Sequence, residues 1–316
     1  MFQWLFGGSF DPNKDIPSLK DKVVLVTGGN NGLGKETVHR LSRNGAHIFL
    51  AARTESKARA AITEIQSVVP DAHITFLQLD LSSFASIKAA ATSFLSHSNR
   101  LDILVNNAGI AGQPFSLTED GYEIVFATNH IGHALLTKLL LPTLLKTAEL
   151  PGADVRVINV SSKGERFAPA EGIVYDQQAL ENVAKLSRYG HSKLANILHA
   201  RELQRRYPSI TATAVHPGVI MTDIYASFSE TNSALRFLAP AVQAIAPYGV
   251  LPDVYDVPGG TLTQLWAATA PKEEVRKSHY FLPVGVASAG SKHGQDAEMA
   301  KQLWEWTEKE VADVEV

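Results

Sequence analysis

Thr27-Gly28-Gly29-Asn30-Asn31-Gly32-Leu33-Gly34 lies between the β-branched run Val23-Val24-Leu25-Val26 and a helically spaced stretch over 33–44. Three jobs ask for glycine in such a place. The chain must turn sharply out of a strand, its backbone must come close to a pyrophosphate, and the next helix must lie close to the sheet. Backbone N–H groups at the helix start then face phosphate oxygens, with the helix dipole behind them. A glycine cluster alone says little. One that follows a strand and opens a helix points to a dinucleotide.

The same alternation runs on through the chain. Apolar runs at 47–52, 74–79, 103–105, 155–160, 211–215 and 280–282 read as further strands. Helical spacing covers 55–69, 84–96, 122–145, 189–206, 261–269 and 297–311. Unbroken apolar strands separated by helices predict an α/β fold: a single Rossmann-type domain with a doubly wound parallel sheet and helices on both faces. The expected organisation is an N-terminal arm over 1–20 and a dinucleotide-binding catalytic domain over 21–316. Two stretches, 163–188 and 223–260, break the alternation. Each follows a strand end, where ligands bind in this architecture. The second reads as a substrate lid.

Composition narrows the class. The 29 basic and 32 acidic residues leave a net charge of −3, so no broad basic surface speaks for nucleic acid. The chain has no cysteine, which excludes disulfides, thiolate metal sites, iron–sulfur clusters and cysteine nucleophiles. The longest weakly charged run found, 234–251, contains Arg236, Pro240 and Pro247 and falls short of the ~20 apolar residues a spanning helix needs. The reading is of a chain with no transmembrane segment or targeting signal, expected in the cytoplasm. Phe2, Trp4 and Phe6 read as part of a packed arm, yet would suit a membrane surface. Peripheral membrane contact and self-association both stay open.

Further motifs follow in order: Asp80-Leu81, Asn106-Asn107-Ala108-Gly109, Val160-Ser161-Ser162, Tyr189-Gly190-His191-Ser192-Lys193 and Pro217-Gly218. With the T-G-x-x-x-G-x-G loop, they make the chain resemble the short-chain dehydrogenase/reductase family from about 22 to 222. Asn129-His130-Ile131-Gly132-His133 and Ser192-Lys193-Leu194-Ala195-Asn196 further resemble its retinol-dehydrogenase-like branch. The resemblance implies a nicotinamide dinucleotide. Gly28, Asn31, Gly32, Leu33 and Gly34 would surround its phosphates, and Asp80 and Leu81 its adenine. Asn107, Ala108 and Gly109 would line the ribose side, with Tyr189 and Lys193 near the nicotinamide ribose. Pro217, Gly218, Val219 and Thr222 would lie at the carboxamide. It also implies a catalytic set of Asn129, Ser162, Tyr189 and Lys193.

The second strand ends in Ala51-Ala52-Arg53-Thr54. A carboxylate there would bind the adenosine ribose diol and repel a 2′-phosphate. Ala52 fills that position and Arg53 follows, so NADP(H) is expected over NAD(H). Tyr189 and Lys193, four apart, share one helix face. An ammonium beside a phenol favours the phenolate, which suits Tyr189 to move a proton to or from a carbonyl or alcohol oxygen. Ser162 would donate to that oxygen. Ser161 competes for the role, because neighbouring strand residues face opposite ways. Asn129 would place a water linking Lys193 to solvent. Glu165, Arg166 and Phe167 lie in the insert between Ser162 and Tyr189, where they could cover the pocket.

Other chemistries fit less well. Gly190-His191-Ser192-Lys193-Leu194 approaches the nucleophile elbow of a hydrolase but ends in leucine and sits in a helix. His130 and His133 lack a third metal ligand at a clear spacing, and His216 reads as a strand-end packing residue. An NADP(H)-binding sensor without turnover has no need of the Tyr189–Lys193 pair. An epimerase or dehydratase would need more chain beyond Thr222. The expected substrate is a small, lipophilic carbonyl compound or alcohol, from Tyr225, Phe228, Phe237, Leu238 and Tyr248 in the lid.

Overall fold

The computed structural model describes residues 10–220 and 253–316. Its strands are β1 (Val23–Thr27), β2 (His47–Ala52), β3 (Ile74–Gln78), β4 (Ile103–Asn106), β5 (Arg156–Val160), β6 (Thr211–Val215), β7 (Val219–Ile220), β8 (Val254–Tyr255), β9 (Tyr280–Leu282) and β10 (Val286–Ala287). Among the described residues, eight of them form one sheet in the order β10-β9-β6-β5-β4-β1-β2-β3. All neighbours are parallel except β10, which returns antiparallel to β9. The chain winds outward from β1 through β2 to β3, then resumes on β1's other side with β4. The crevice between the ends of β1 and β4 is therefore the switch point at which such sheets bind ligands.

The central strands are apolar on both faces because both faces are covered. Within β1, Val23 and Leu25 enter one core and Val24 and Val26 the other, as a two-residue period requires. The first core takes Phe94, Leu135, Leu140 and Leu198 from helices Phe84–His97, Ile124–Ala148 and Lys185–Arg206. The second takes Val38, Leu41 and Leu265 from helices Gly32–Arg43 and Val257–Thr269. Ile16 and Leu19, read from sequence as part of an arm, are buried in this second core.

Several boundaries differ from the sequence reading. The helix that ends at Arg206 starts at Lys185 rather than at 189, and Ala184 before it gives no side-chain cap. Helix Val257–Thr269 starts four residues early, because Asp256 caps it by accepting from the Gly259 N–H. The short strands β7, β8 and β10 escaped notice. So did the apolar length of Ile124–Ala148, which passes for a membrane span by length and composition. Its most apolar window is 78% buried, so its leucines face the protein core. The expected lid lies, apart from 253–260, outside the described residues. So do Thr222 and the aromatic residues assigned to the lid.

Candidate active site

At the end of β1, Gly28 has φ +64, a conformation that side chains other than glycine's rarely adopt. Gly34, one turn into the helix, lies against it: a Cβ there would meet the Gly28 carbonyl oxygen at 2.2 Å and Asn107 Nδ2 at 2.5 Å. The turn and the helix thus interlock through the absence of side chains. Asn31 Oδ1 accepts from the Gly32 N–H at 2.8 Å and caps the helix. The result is a backbone-lined cradle of the kind a pyrophosphate fits.

Thr27 ties this turn to the end of β4. Its hydroxyl accepts the N–H groups of Asn107 (2.9 Å) and Ala108 (3.0 Å), and Asn107 Nδ2 donates to the Thr27 carbonyl at 2.8 Å. The Asn107 side chain is accordingly a strut under the glycine turn. Asp80 accepts from Ser82 N–H and Oγ at 2.9 and 2.6 Å. Leu81 is buried, its carbonyl against Gly132. Arg53 stands 75% exposed at the end of β2, 4.0 Å from Asp80. Beside it, Ala52 is buried.

The end of β5 separates the two serines. Ser161 is buried and donates to the Lys193 carbonyl at 2.7 Å, pinning the strand to the Lys185–Arg206 helix. Ser162 faces the other way and accepts from Gly164 N–H at 3.0 Å, capping the 3-10 turn Lys163–Phe167. A Cβ on Gly164 would come within 3.0 Å of the Tyr189 ring and 3.3 Å of Ser162 Oγ. Of the two serines, Ser162 therefore converges with Tyr189. Gly190 lets the helix approach closely, since a Cβ there would meet the Gly164 carbonyl at 2.6 Å.

Lys193 is buried, and its Nζ donates to the Val160 carbonyl at 2.9 Å and lies 5.6 Å over the Tyr189 ring. Burial pushes this ammonium down to about 8. Gly109 closes the space above it: a Cβ there would sit 3.4 Å from Lys193 Nζ and 3.3 Å from Asn129 Oδ1. Asn129 lies in the π-turn Ala127–Ile131. Its Oδ1 accepts from Ile110 N–H at 2.8 Å, and its Nδ2 donates to the Ile110 carbonyl (2.9 Å) and to Ser192 Oγ (3.0 Å). Both amide donors are thus engaged within the protein. Asn129 braces the site through its side chain.

Supports around this core carry no motif. Glu123 and Arg188 form a buried pair at 3.2 Å that joins the start of the Tyr189 helix to the start of Ile124–Ala148. Burial raises the Glu123 carboxyl above its ordinary range. Pro217 leads into Gly218, at φ +93, where a Cβ would meet the Tyr255 ring at 2.3 Å. Val219, beyond them, begins β7 and pairs with Val254 of β8. Lys163 pairs with Asp253, so the insert after Ser162 is tied to the stretch just before β8. His130 and His133, weighed above as metal ligands, are both buried. Among the described residues, no group of three or more His, Cys, Asp or Glu side chains is placed to hold a metal ion.

Comparison with known proteins agrees with this geometry. A family model described as short chain dehydrogenase matches residues 22–233. The chain belongs to the short-chain dehydrogenase family. It is 38% identical over 309 residues to the short-chain dehydrogenase/reductase drtF of Aspergillus calidoustus, covering 94% of this chain and 95% of that one. It is 41% identical over 300 residues to mouse retinol dehydrogenase 12, covering 94% and 88% respectively. A crystal structure from Mycobacterium paratuberculosis matches with a TM-score of 0.71 at 27% identity, over 98% of this chain and 99% of that one. The chain is thus a member of an oxidoreductase family with a retinol-dehydrogenase-like relative.

Proposed function

We propose that the protein interconverts a carbonyl and an alcohol on a small lipophilic substrate, using NADP(H), with Tyr189 moving the proton. The observation that carries this reading is the convergence at Gly164. The Tyr189 ring and Ser162 Oγ meet there, with the Lys193 ammonium 5.6 Å from the centre of the ring. A bound nicotinamide supplies or accepts the hydride. Ser162 donates to the substrate oxygen and steadies its developing charge. Lys193 keeps a positive charge beside the phenol below pH ~8 and loses it above, so its help to the phenolate fades as pH rises through that value.

The turn at Gly28, Gly32 and Gly34 suits a dinucleotide, because side chains at Gly28 or Gly34 would press on Ala108, Asn107 or the Gly28 carbonyl and push the turn out of shape. The 2′-phosphate reading rests on exposed Arg53 beside buried Ala52, with no carboxylate at the strand end. Lipophilic substrates are supported by the likeness to a protein named for retinol. Exposed Phe167, in the turn after Ser162, adds an apolar surface beside the site.

The test is NADPH and NADH consumption against a panel of lipophilic aldehydes and ketones, with Arg53→Glu alongside. NADPH turnover is expected in the intact protein. A charged hydrogen bond contributes about 1.5–3 kcal/mol, so Arg53→Glu should weaken NADPH binding by about ten-fold or more and leave NADH nearly unchanged. Equal losses for both cofactors would remove the 2′-phosphate assignment. Tight NADPH binding without turnover across the panel would favour the sensor.

A further inference from the structure

One buried side chain joins the end of β1, the end of β4 and the π-turn. His133 Nδ1 lies 3.0 Å from the main-chain carbonyl of Asn129, and Nε2 lies 2.8 Å from Thr27 Oγ1. Proton counting settles which way these bonds run. A carbonyl oxygen can only accept, so Nδ1 carries the hydrogen. The ring is sealed from solvent, and burial pushes it down to about 3, so it is neutral and Nε2 keeps its lone pair. The Thr27 hydroxyl must then donate to Nε2. Its other candidate acceptor, the Val105 carbonyl, is farther away at 3.4 Å. With its proton so placed, the Thr27 oxygen offers its lone pairs to the N–H groups of Asn107 and Ala108, 2.9 and 3.0 Å away. No donor or acceptor in this chain of bonds is left over. The opposite tautomer would set two lone pairs face to face at Asn129.

From this closed network, and resting on the cofactor and tetrad reading above, we infer that His133 is a positioning residue that locks the Asn107-Ala108-Gly109 turn and Asn129 into one unit. Gly109 sits against both Asn129 Oδ1 and Lys193 Nζ: a Cβ on it would lie 3.3 Å from the one and 3.4 Å from the other. A shift between Gly109 and Asn129 would change the space around the ammonium and the placement of the glycine turn together. His133 touches no reacting atom. It couples the cofactor-facing turn to the proton-transfer pair.

Three measurements test this. Imidazole 15N shifts of histidine-labelled protein should show His133 as the Nδ1–H tautomer, with no cofactor needed. In His133→Phe, the unpartnered Thr27 hydroxyl and Asn129 carbonyl should lower kcat and raise the NADPH dissociation constant, with kcat/KM down about ten-fold or more. His133→Gln, whose amide can donate to the Asn129 carbonyl and accept from the Thr27 hydroxyl, should recover most of both. A purely structural role would lower the melting temperature in both variants without this split. Thr27→Val should reproduce the kinetic loss, and adding His133→Phe to it should cost little more, because both break the same chain. Should His133→Phe not fold, the tautomer and Thr27→Val decide. An Nε2–H tautomer, or kinetics of Thr27→Val and His133→Phe within two-fold of the intact protein, overturns the inference. If the intact protein binds neither NADPH nor NADH, the functional reading fails instead, and the tautomer still reports on the network.

Discussion

Tyr189→Phe should lose at least about 100-fold in kcat, the lower end of what a positioned general acid or base contributes, while NADPH affinity stays within about two-fold. The ring keeps its seat, because the close contact at Gly164 is made by ring carbons. The nearby cation also stays, since Lys193 is held by the Val160 carbonyl. Only the hydroxyl is lost. The neighbouring polar groups are poor substitutes. Ser161 points away into the helix, a serine hydroxyl such as that of Ser162 is a far weaker acid than a phenol, and the Lys193 Nζ is held by the Val160 carbonyl. Single-turnover and steady-state rates, with cofactor titration of the same preparations, give the answer. Retention of more than a tenth of the rate would mean that another group moves the proton. Loss of cofactor affinity in parallel would mean that the hydroxyl mainly shapes the binding site.

The central strands were legible in the sequence because burial on both faces leaves unbroken apolar runs. The glycine turn and the Tyr189–Lys193 spacing were legible for a different reason. Steric exclusion at Gly28 and Gly34 and helix periodicity at 189 and 193 are local constraints, so they leave local marks. The helix start at Lys185 was not legible, because Ala184 caps nothing. The long-range supports were equally hidden. Glu123 meets Arg188, Lys163 meets Asp253, and His133 meets Thr27, each across a stretch of chain in which any polar residue would read the same. Asn107 shows how a motif can be found while its packing stays hidden. Its spacing marks the end of β4, and the structure adds that its amide donates to the Thr27 carbonyl and holds the glycine turn. The choice between Ser161 and Ser162, left open by alternation alone, needed the hydrogen bond from Ser161 to the far helix.

A steep loss of stability between pH 6.5 and pH 5 is the second large effect expected. His130, His133, His191, His199 and His216 are all buried. Burial lowers every one: His133 and His191 to about 3, His199 and His216 to about 4, and His130 well below the ordinary value. Three of these rings also accept a hydrogen bond that a proton would break: His133 from Thr27, His191 from Val174 N–H and His199 from Asn159 Nδ2. The unfolded chain takes up protons on these groups near pH 6.5, and the folded chain does not. Stability from them is therefore complete above about 6.5 and falls as pH drops toward the folded values. Glu123 and Glu165 act in the opposite sense, because burial raises their carboxyls and lets the folded protein bind protons first. Asp102 and Glu202, whose partners hold them low, lose their contribution only below the ordinary carboxylate range. His47, lowered to about 4, and His279, also lowered, act in the same sense as these five; each net proton taken up on unfolding costs about 1.4 kcal/mol per pH unit, so a net uptake of about three would cost about 4 kcal/mol from pH 6 to pH 5. That is a large part of the ~5–15 kcal/mol typical of folded proteins. Urea unfolding at pH 7.5, 6.5, 6.0 and 5.0 measures the slope directly. His191→Gln keeps an acceptor for Val174 and should reduce the uptake by about one proton. A flat profile from pH 7.5 to 5.0 would mean that the rings are protonated in the folded state, and the assignment of His133 as a neutral acceptor for Thr27 would fall with it.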